Sequence, residues 1–115
     1  FRGGCISPGM KTRFRALHDY TAKLPLCAAT ESEELAGLTT RQAIELGVMN
    51  GIAFEIEGYA ARMRSQIDDL CVIFTGGDAN FFVKRIKNTI FANCNLVFCG
   101  LNRILEYNAS EEHLN

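Results

Sequence analysis

The sequence has no surplus of charge of either sign. Twelve Lys and Arg stand against thirteen Asp and Glu, for a net charge of −1. That excludes a nucleic-acid or anionic-membrane surface as the main partner, because phosphate binding needs an excess of cations. There is no run of about 18 apolar residues, so no transmembrane helix. There is no C-x-x-C pair, and His18 and His113 stand at no ligand spacing to any cysteine, so zinc is not expected. The five cysteines, Cys5, Cys27, Cys71, Cys94 and Cys99, are odd in number and irregularly spaced. No local base or positive charge activates any of them. Cys71, Cys94 and Cys99 lie in apolar stretches and read as buried, reduced, small hydrophobes of a cytoplasmic protein. No initiator methionine and no signal peptide are visible.

What is there begins with Phe1-Arg2-Gly3-Gly4-Cys5-Ile6-Ser7-Pro8-Gly9. A Gly-Gly pair, apolar residues around Cys5 and a Pro-Gly turn read as the end of a strand over 1–6, then a loop that hugs a ligand or a second backbone. Such a loop belongs inside a domain. The expectation is therefore that this chain is the C-terminal part of a larger enzyme. Pro8 suits the first turn of a helix. Met10, Phe14, Leu17 and Tyr20 or Thr21 give that helix one apolar face, and Leu24-Pro25 ends it. Residues 26–38, with Glu31, Glu33 and Glu34, read as an exposed acidic loop, long enough to act as a lid.

Thr39 or Thr40 is a suitable N-cap for a long helix. From Ala43 to Ile67 there is no proline, and Ile44, Val48, Ile52, Ile56, Tyr59, Met63 and Ile67 recur every three or four residues. Continuous from Thr40 to Gln66, the helix would be roughly 40 Å long. Gly47, Gly51 and Gly58 each cost it about 1 kcal/mol against alanine. The Gly47-x-x-x-Gly51 spacing reads as a packing device against a neighbouring helix or subunit. Glu55 and Glu57 are two apart and do not face each other, so they form no carboxylate pair. One of them is expected to pair with Arg62 or Arg64 or to reach across an interface. Asp69 to Phe74 is a near-continuous apolar run that suits a strand buried on both faces of a parallel sheet. Phe81, Phe82, Ile86 and Ile90 mark another helix, Asn93 to Asn95 a turn, Leu96 to Phe98 a strand, and Gly100 to Glu106 a last helical turn or two. The tail 108–115 reads as frayed. The whole order is that of an α/β unit.

Thr75-Gly76-Gly77-Asp78 falls where a buried strand meets a helix, the place where α/β sheets bind ligands. Its glycines allow close backbone approach to a nucleotide, and the helix start offers unpaired N–H groups. A tight strand-to-helix turn with Asp78 as N-cap reads equally well. Thr40 can cap a helix or hydrogen-bond a polar substrate in a cleft.

These residues together resemble type III pantothenate kinases. Gly3-Gly4-Cys5-Ile6-Ser7-Pro8-Gly9, Ala16-Leu17 and Thr21-Ala22-Lys23-Leu24-Pro25 are similar to that family's first signature. Thr40-x-x-Ala43-Ile44-x-x-Gly47, Gly51 and Ile56-Glu57-Gly58 resemble its long helix. Thr75-Gly76-Gly77-Asp78-Ala79 resembles its glycine turn, and Leu96 to Leu101 its closing strand. The resemblance implies the C-terminal half of an actin-like, ribonuclease-H-like duplicated α/β fold, working as a homodimer. It implies transfer of the γ-phosphoryl of ATP to pantothenate, the first step of coenzyme A synthesis. Thr40 would contact pantothenate at the subunit interface. Gly76 and Gly77 would lie on the nucleotide side, and Gly3, Gly4, Pro8 and Gly9 would form the cleft loop. Gly47, Gly51, Glu57 and Gly58 would belong to the dimer interface. The phosphate loop, the catalytic aspartate and the cation-binding segment of the family are not in this sequence. No catalytic or metal residue is therefore expected within it. ATP, Mg²⁺ and a monovalent cation, potassium or ammonium, would be held mainly by an upstream half. The rival reading is a non-catalytic accessory protein of the same fold family, similar to transcription accessory factors.

Overall fold

Gly9 opens the first helix. Its extended backbone (φ −75°, ψ 179°) precedes α1, Met10–Asp19, and its carbonyl accepts the Arg13 N–H at 3.1 Å. The computed structural model describes residues 3–86 and the backbone of 95–99. Pro8 thus stands one residue before the N-cap and not in the first turn. Met10 and Phe14 are buried, one turn apart on one face. The helix stops at Asp19 and not at Leu24 as the sequence suggests. The Tyr20 N–H closes the last turn on the Ala16 carbonyl, and Tyr20 itself is exposed. Two side chains then fold the chain back. The Thr21 hydroxyl donates to the Leu17 carbonyl, and His18 Nδ1 lies 2.8 Å from the Leu24 carbonyl oxygen. These local side-chain bonds compete with the helix and end it early.

The expected strand over 1–6 is absent from the described residues. Residues 3–9 have no regular structure and are exposed throughout. A strand needs a partner for its backbone groups, and among the described residues none is paired with this segment.

Residues 20–39 form a loop without helix or strand, which contains the loop expected over 26–38 and begins earlier because α1 ends at Asp19. It is not loose. Cys27 is buried, the Ser32 N–H donates to Thr30 Oγ1, and Asn50 Nδ2 donates to the Glu34 carbonyl at 2.8 Å.

The second helix, α2, runs Thr40–Arg64, 25 residues or about 38 Å. It is continuous through all three glycines. Of the expected apolar stripe, Ile44 and Val48 are buried, but Tyr59, Met63 and the following Ile67 are nearly half exposed. Burial also extends off the stripe, to Leu46, Met49 and Ala53. The Met63 carbonyl accepts both the Gln66 and Ile67 N–H groups and finishes the helix. Asp69, at φ 54°, then turns the chain in the left-handed region that Asp tolerates.

Strand β1, Cys71–Thr75, pairs in parallel with β2, Asn95–Cys99, with Ile73 opposite Val97. Between them lies α3, Ala79–Ile86, with Ala79, Phe82 and Ile86 buried. The parallel pair with its connecting helix agrees with the α/β reading. The burial does not. Cys71 and Ile73 are exposed on one face of β1, and Val72 and Phe74 are only partly covered. A helix covers one face of a sheet at most, and among the described residues nothing covers the other. Cys71 is therefore not the buried cysteine expected. Cys5 and Cys27 are free thiols like Cys71, the first exposed and the second buried. The expected turn at Asn93, the last helical turns after Gly100, the frayed tail, Cys94 and His113 lie outside the described residues, as does the expected continuation of α3 to Ile90.

The chain divides into two units, Phe1–Phe54 and Glu55–Asn115, the division falling within α2. The first holds α1, the loop and the start of α2. The second holds the end of α2 and the β1–α3–β2 segment.

Candidate functional site

Thr39 and Thr40 compete in the sequence for one job, and the structure separates them. Gln42 donates its backbone N–H to Thr39 Oγ1 at 3.1 Å, and Ala43 N–H bonds the Thr39 carbonyl at 2.8 Å. Thr39 is the N-cap. The Gln42 side chain reaches one residue further back than a capping box does, accepting the Leu38 N–H on Oε1 at 3.0 Å. Thr40 is the first helical residue, exposed, and its hydroxyl takes no part in the cap.

Thr40 instead borders a wide, open groove of about 700 Å³ within the first unit. Ala16, Leu17 and Leu24 line it from α1 and the following turn, and Ala43, Ile44, Gly47 and Val48 from α2. Thr40 and Arg13 bring the polar side chains. A mostly apolar wall with one or two placed polar groups is the usual chemistry of a small-molecule site. Gly47 belongs to this wall, and a Cβ there would meet nothing within 4 Å among the described residues.

Arg13 ties the cleft to the N-terminal loop. Its Nε donates to the Pro8 carbonyl at 2.8 Å and its Nη2 to Ser7 Oγ at 2.9 Å. A Cβ on Gly51 would stand 3.7 Å from Arg13 Nη1. Gly51 therefore faces Arg13 within its own unit, and no second backbone lies against Gly47 or Gly51 among the described residues. Sequence reasoning passed over Arg13, since a lone arginine on an amphipathic helix reads as solvated. The signal that was available is its place five and six residues after Pro8 and Ser7, within reach around one helical turn.

Of the glycines in the loop, Gly3 uses a positive φ (129°), which only glycine adopts readily. In the second unit Gly76 does the same at φ 100°, and the Ala79 N–H points back to its carbonyl at 3.4 Å. This is the tight strand-to-helix turn read from Thr75-Gly76-Gly77-Asp78. The Asp78 carbonyl accepts the Phe81 N–H at 3.2 Å. Gly77 needs no special φ, and a Cβ on it would meet open space, as would one on Gly58. The backbone here is open to a ligand and does not enclose one. No group of three or more His, Cys, Asp or Glu that could hold a metal stands among the described residues. Likewise no described helix is long and apolar enough to cross a membrane.

Comparison with known proteins falls on the same region. The family model described as type III pantothenate kinase matches residues 1–62, which include the loop, α1, the cleft and nearly all of α2. The chain is 50% identical over 107 residues to a type III pantothenate kinase of Flavobacterium psychrophilum, covering 93% of this chain and 44% of that protein. It is 45% identical to the Flavobacterium johnsoniae protein of the same name over 93% of this chain and 44% of that protein. For the Cytophaga hutchinsonii protein, also so named, identity is 47% over 94% of this chain and 46% of that protein. The chain thus spans a little under half the length of these curated relatives. A family model covering more than half of the chain, on the residues that build the Thr40 cleft, establishes that this chain belongs to the type III pantothenate kinase family.

Proposed function

We propose that this chain is the C-terminal, substrate-side half of an enzyme that phosphorylates pantothenate with ATP to open coenzyme A synthesis. The single observation that carries the reading is the coincidence of the family match over 1–62 with a cleft whose wall is apolar and whose edge holds an uncommitted threonine hydroxyl. Pantothenate is small, with a branched apolar centre and several hydrogen-bonding groups. Leu17, Ile44 and Val48 would take the apolar part, and the Thr40 hydroxyl a polar group.

Phosphoryl transfer needs a phosphate cradle, charge-neutralising cations and a positioned base. The upstream half would supply all three, since the family's phosphate-loop, catalytic-aspartate and cation-binding motifs are not in this sequence. ATP, Mg²⁺ and the potassium or ammonium ion would bind there, with the Gly76-Gly77 turn on the nucleotide side. This half would orient the acceptor alcohol for in-line attack. The protein would act in the cytoplasm as a homodimer, with Gly47, Gly51, Glu57 and Gly58 near the two-fold axis.

The test is to assay ATP-dependent phosphorylation of pantothenate with the full-length protein and with residues 1–115 alone. Turnover is expected from the first and none from the second. A well-folded full-length protein without turnover would favour the accessory-protein reading. Turnover by the 115-residue chain, free of contaminating kinase, would refute the assignment of the base and phosphate loop to an upstream half.

A further inference from the structure

The loop before α2 folds back onto the first turn of that helix, and it does so at a glycine. A Cβ built on Gly37 would stand 2.5 Å from the Ala43 nitrogen, 2.5 Å from the Gln42 carbonyl carbon and 2.7 Å from Gln42 Cβ. Two of these neighbours are backbone atoms of a helical turn and cannot swing aside. Of the glycines whose surroundings are known here, Gly37 is the one where a Cβ would collide with neighbouring atoms. The contact has a consequence one residue on. It brings the Leu38 N–H to Gln42 Oε1 and puts Thr39, not Thr40, at the N-cap, with its hydroxyl on the Gln42 N–H. The same loop is held at a second point, where Asn50 Nδ2 reaches the Glu34 carbonyl from a later turn of α2.

We propose that the segment Glu34–Thr39 is a brace on α2, that Gly37 is the positioning residue at its closest approach, and that the brace sets Thr40 at the edge of the substrate cleft. This replaces the lid suggested by the length and charge of the loop. A lid must leave the helix, whereas this segment is pinned to it at both ends. If the brace moves, the cap moves to a neighbouring residue and the Thr40 hydroxyl is drawn into the helix end. The last clause rests on the reading of Thr40 as the pantothenate contact, and the first two do not.

The experiment is Gly37→Ala in the full-length protein, read in two ways. Hydrogen exchange at the Gln42 and Ala43 amides reports the brace itself. Steady-state kinetics report Thr40. The expected result is faster exchange at both amides and a fall in kcat/KM for pantothenate of roughly threefold to tenfold, no more than loss of the Thr40 hydroxyl itself would cost, with the KM for ATP within about twofold. Should Gly37→Ala fail to fold, Gln42→Ala and Gln42→Glu decide instead. The first removes the acceptor for Leu38 and should show the same pattern more weakly, and the second keeps an acceptor and should restore wild-type values. Unchanged exchange in Gly37→Ala overturns the brace. Faster exchange with unchanged pantothenate kinetics overturns its link to Thr40. Equal losses for pantothenate and ATP would mean a general loss of structure and would also overturn it. A wild-type protein inactive on pantothenate would defeat the functional reading, while the exchange result would still decide whether the brace exists.

Discussion

From Ile44 to Ala53, α2 buries Ile44, Leu46, Val48, Met49 and Ala53, with Met49 fully enclosed. From Phe54 to Met63 the same helix buries Ala60 alone and leaves Phe54, Tyr59 and Met63 between 45% and 54% exposed. The two halves share one continuous helix, though the second carries three charged residues, Glu55, Glu57 and Arg62, against one, Glu45, in the first. They differ in what other segments bring to them. The first half is covered from within its own unit by α1 and the anchored loop. Apolar spacing shows that residues share a helix; it carries no information about which side chains a neighbour will cover.

The largest expected effect tests this contrast directly. Met49→Ala should cost about 2–5 kcal/mol of unfolding free energy, the usual range for truncating a buried large side chain. Met63→Ala should cost about 0.5 kcal/mol or less if its surroundings are those seen here. Chemical denaturation of both variants of the full-length protein measures the difference. Equal costs would break the comparison and show that the second half is covered in the intact protein.

A dimer would provide such cover. If Gly58 lies at the two-fold axis, Gly58→Leu should weaken association by about 1–3 kcal/mol through overpacking, seen by sedimentation at several concentrations. Within the described residues that position has open space for a side chain, so the fold itself should survive. Gly51→Leu is the control. It would push on Arg13 and disturb the Ser7–Pro8 loop, whatever happens to the dimer. A Gly58→Leu dimer as tight as wild type would remove this glycine from the interface.

At the start of α2 the effects are smaller and separate two adjacent residues. Thr39→Ala should lower stability by about 0.5–2 kcal/mol, as for other lost N-caps. Thr40→Val should leave stability nearly unchanged. Thermal unfolding of the pair gives the answer, and the reverse order would return the cap to Thr40.

Much of this architecture was legible in the sequence. The long helix, the β1–α3–β2 segment and the glycine turn at Gly76 all follow from spacing and from the need for a positive φ. The strand over 1–6 was misread because a strand is defined by its partner, and a Gly-Gly pair beside apolar residues looks the same with or without one. The early end of α1 was hidden in bonds from Thr21 and His18 that depend on the path of the turn. Thr40 could be singled out by resemblance, but its release from capping could not. That depends on Gly37 lying against the backbone of Gln42 and Ala43, a contact with no periodic trace. Arg13 was missed for a similar reason, because the Pro8 carbonyl and Ser7 hydroxyl it binds carry no charge to advertise the contact.

The most direct test of the account is the rate of ATP-dependent pantothenate phosphorylation by the full-length protein, wild type against Thr40→Val. The wild-type protein should turn over. The variant should fold as well and lose kcat/KM for pantothenate by roughly threefold to tenfold, the value of one hydrogen bond to a neutral partner. Equal kcat/KM in the two proteins would contradict the placement of the substrate at Thr40, and a folded wild type with no turnover would contradict the assigned function itself.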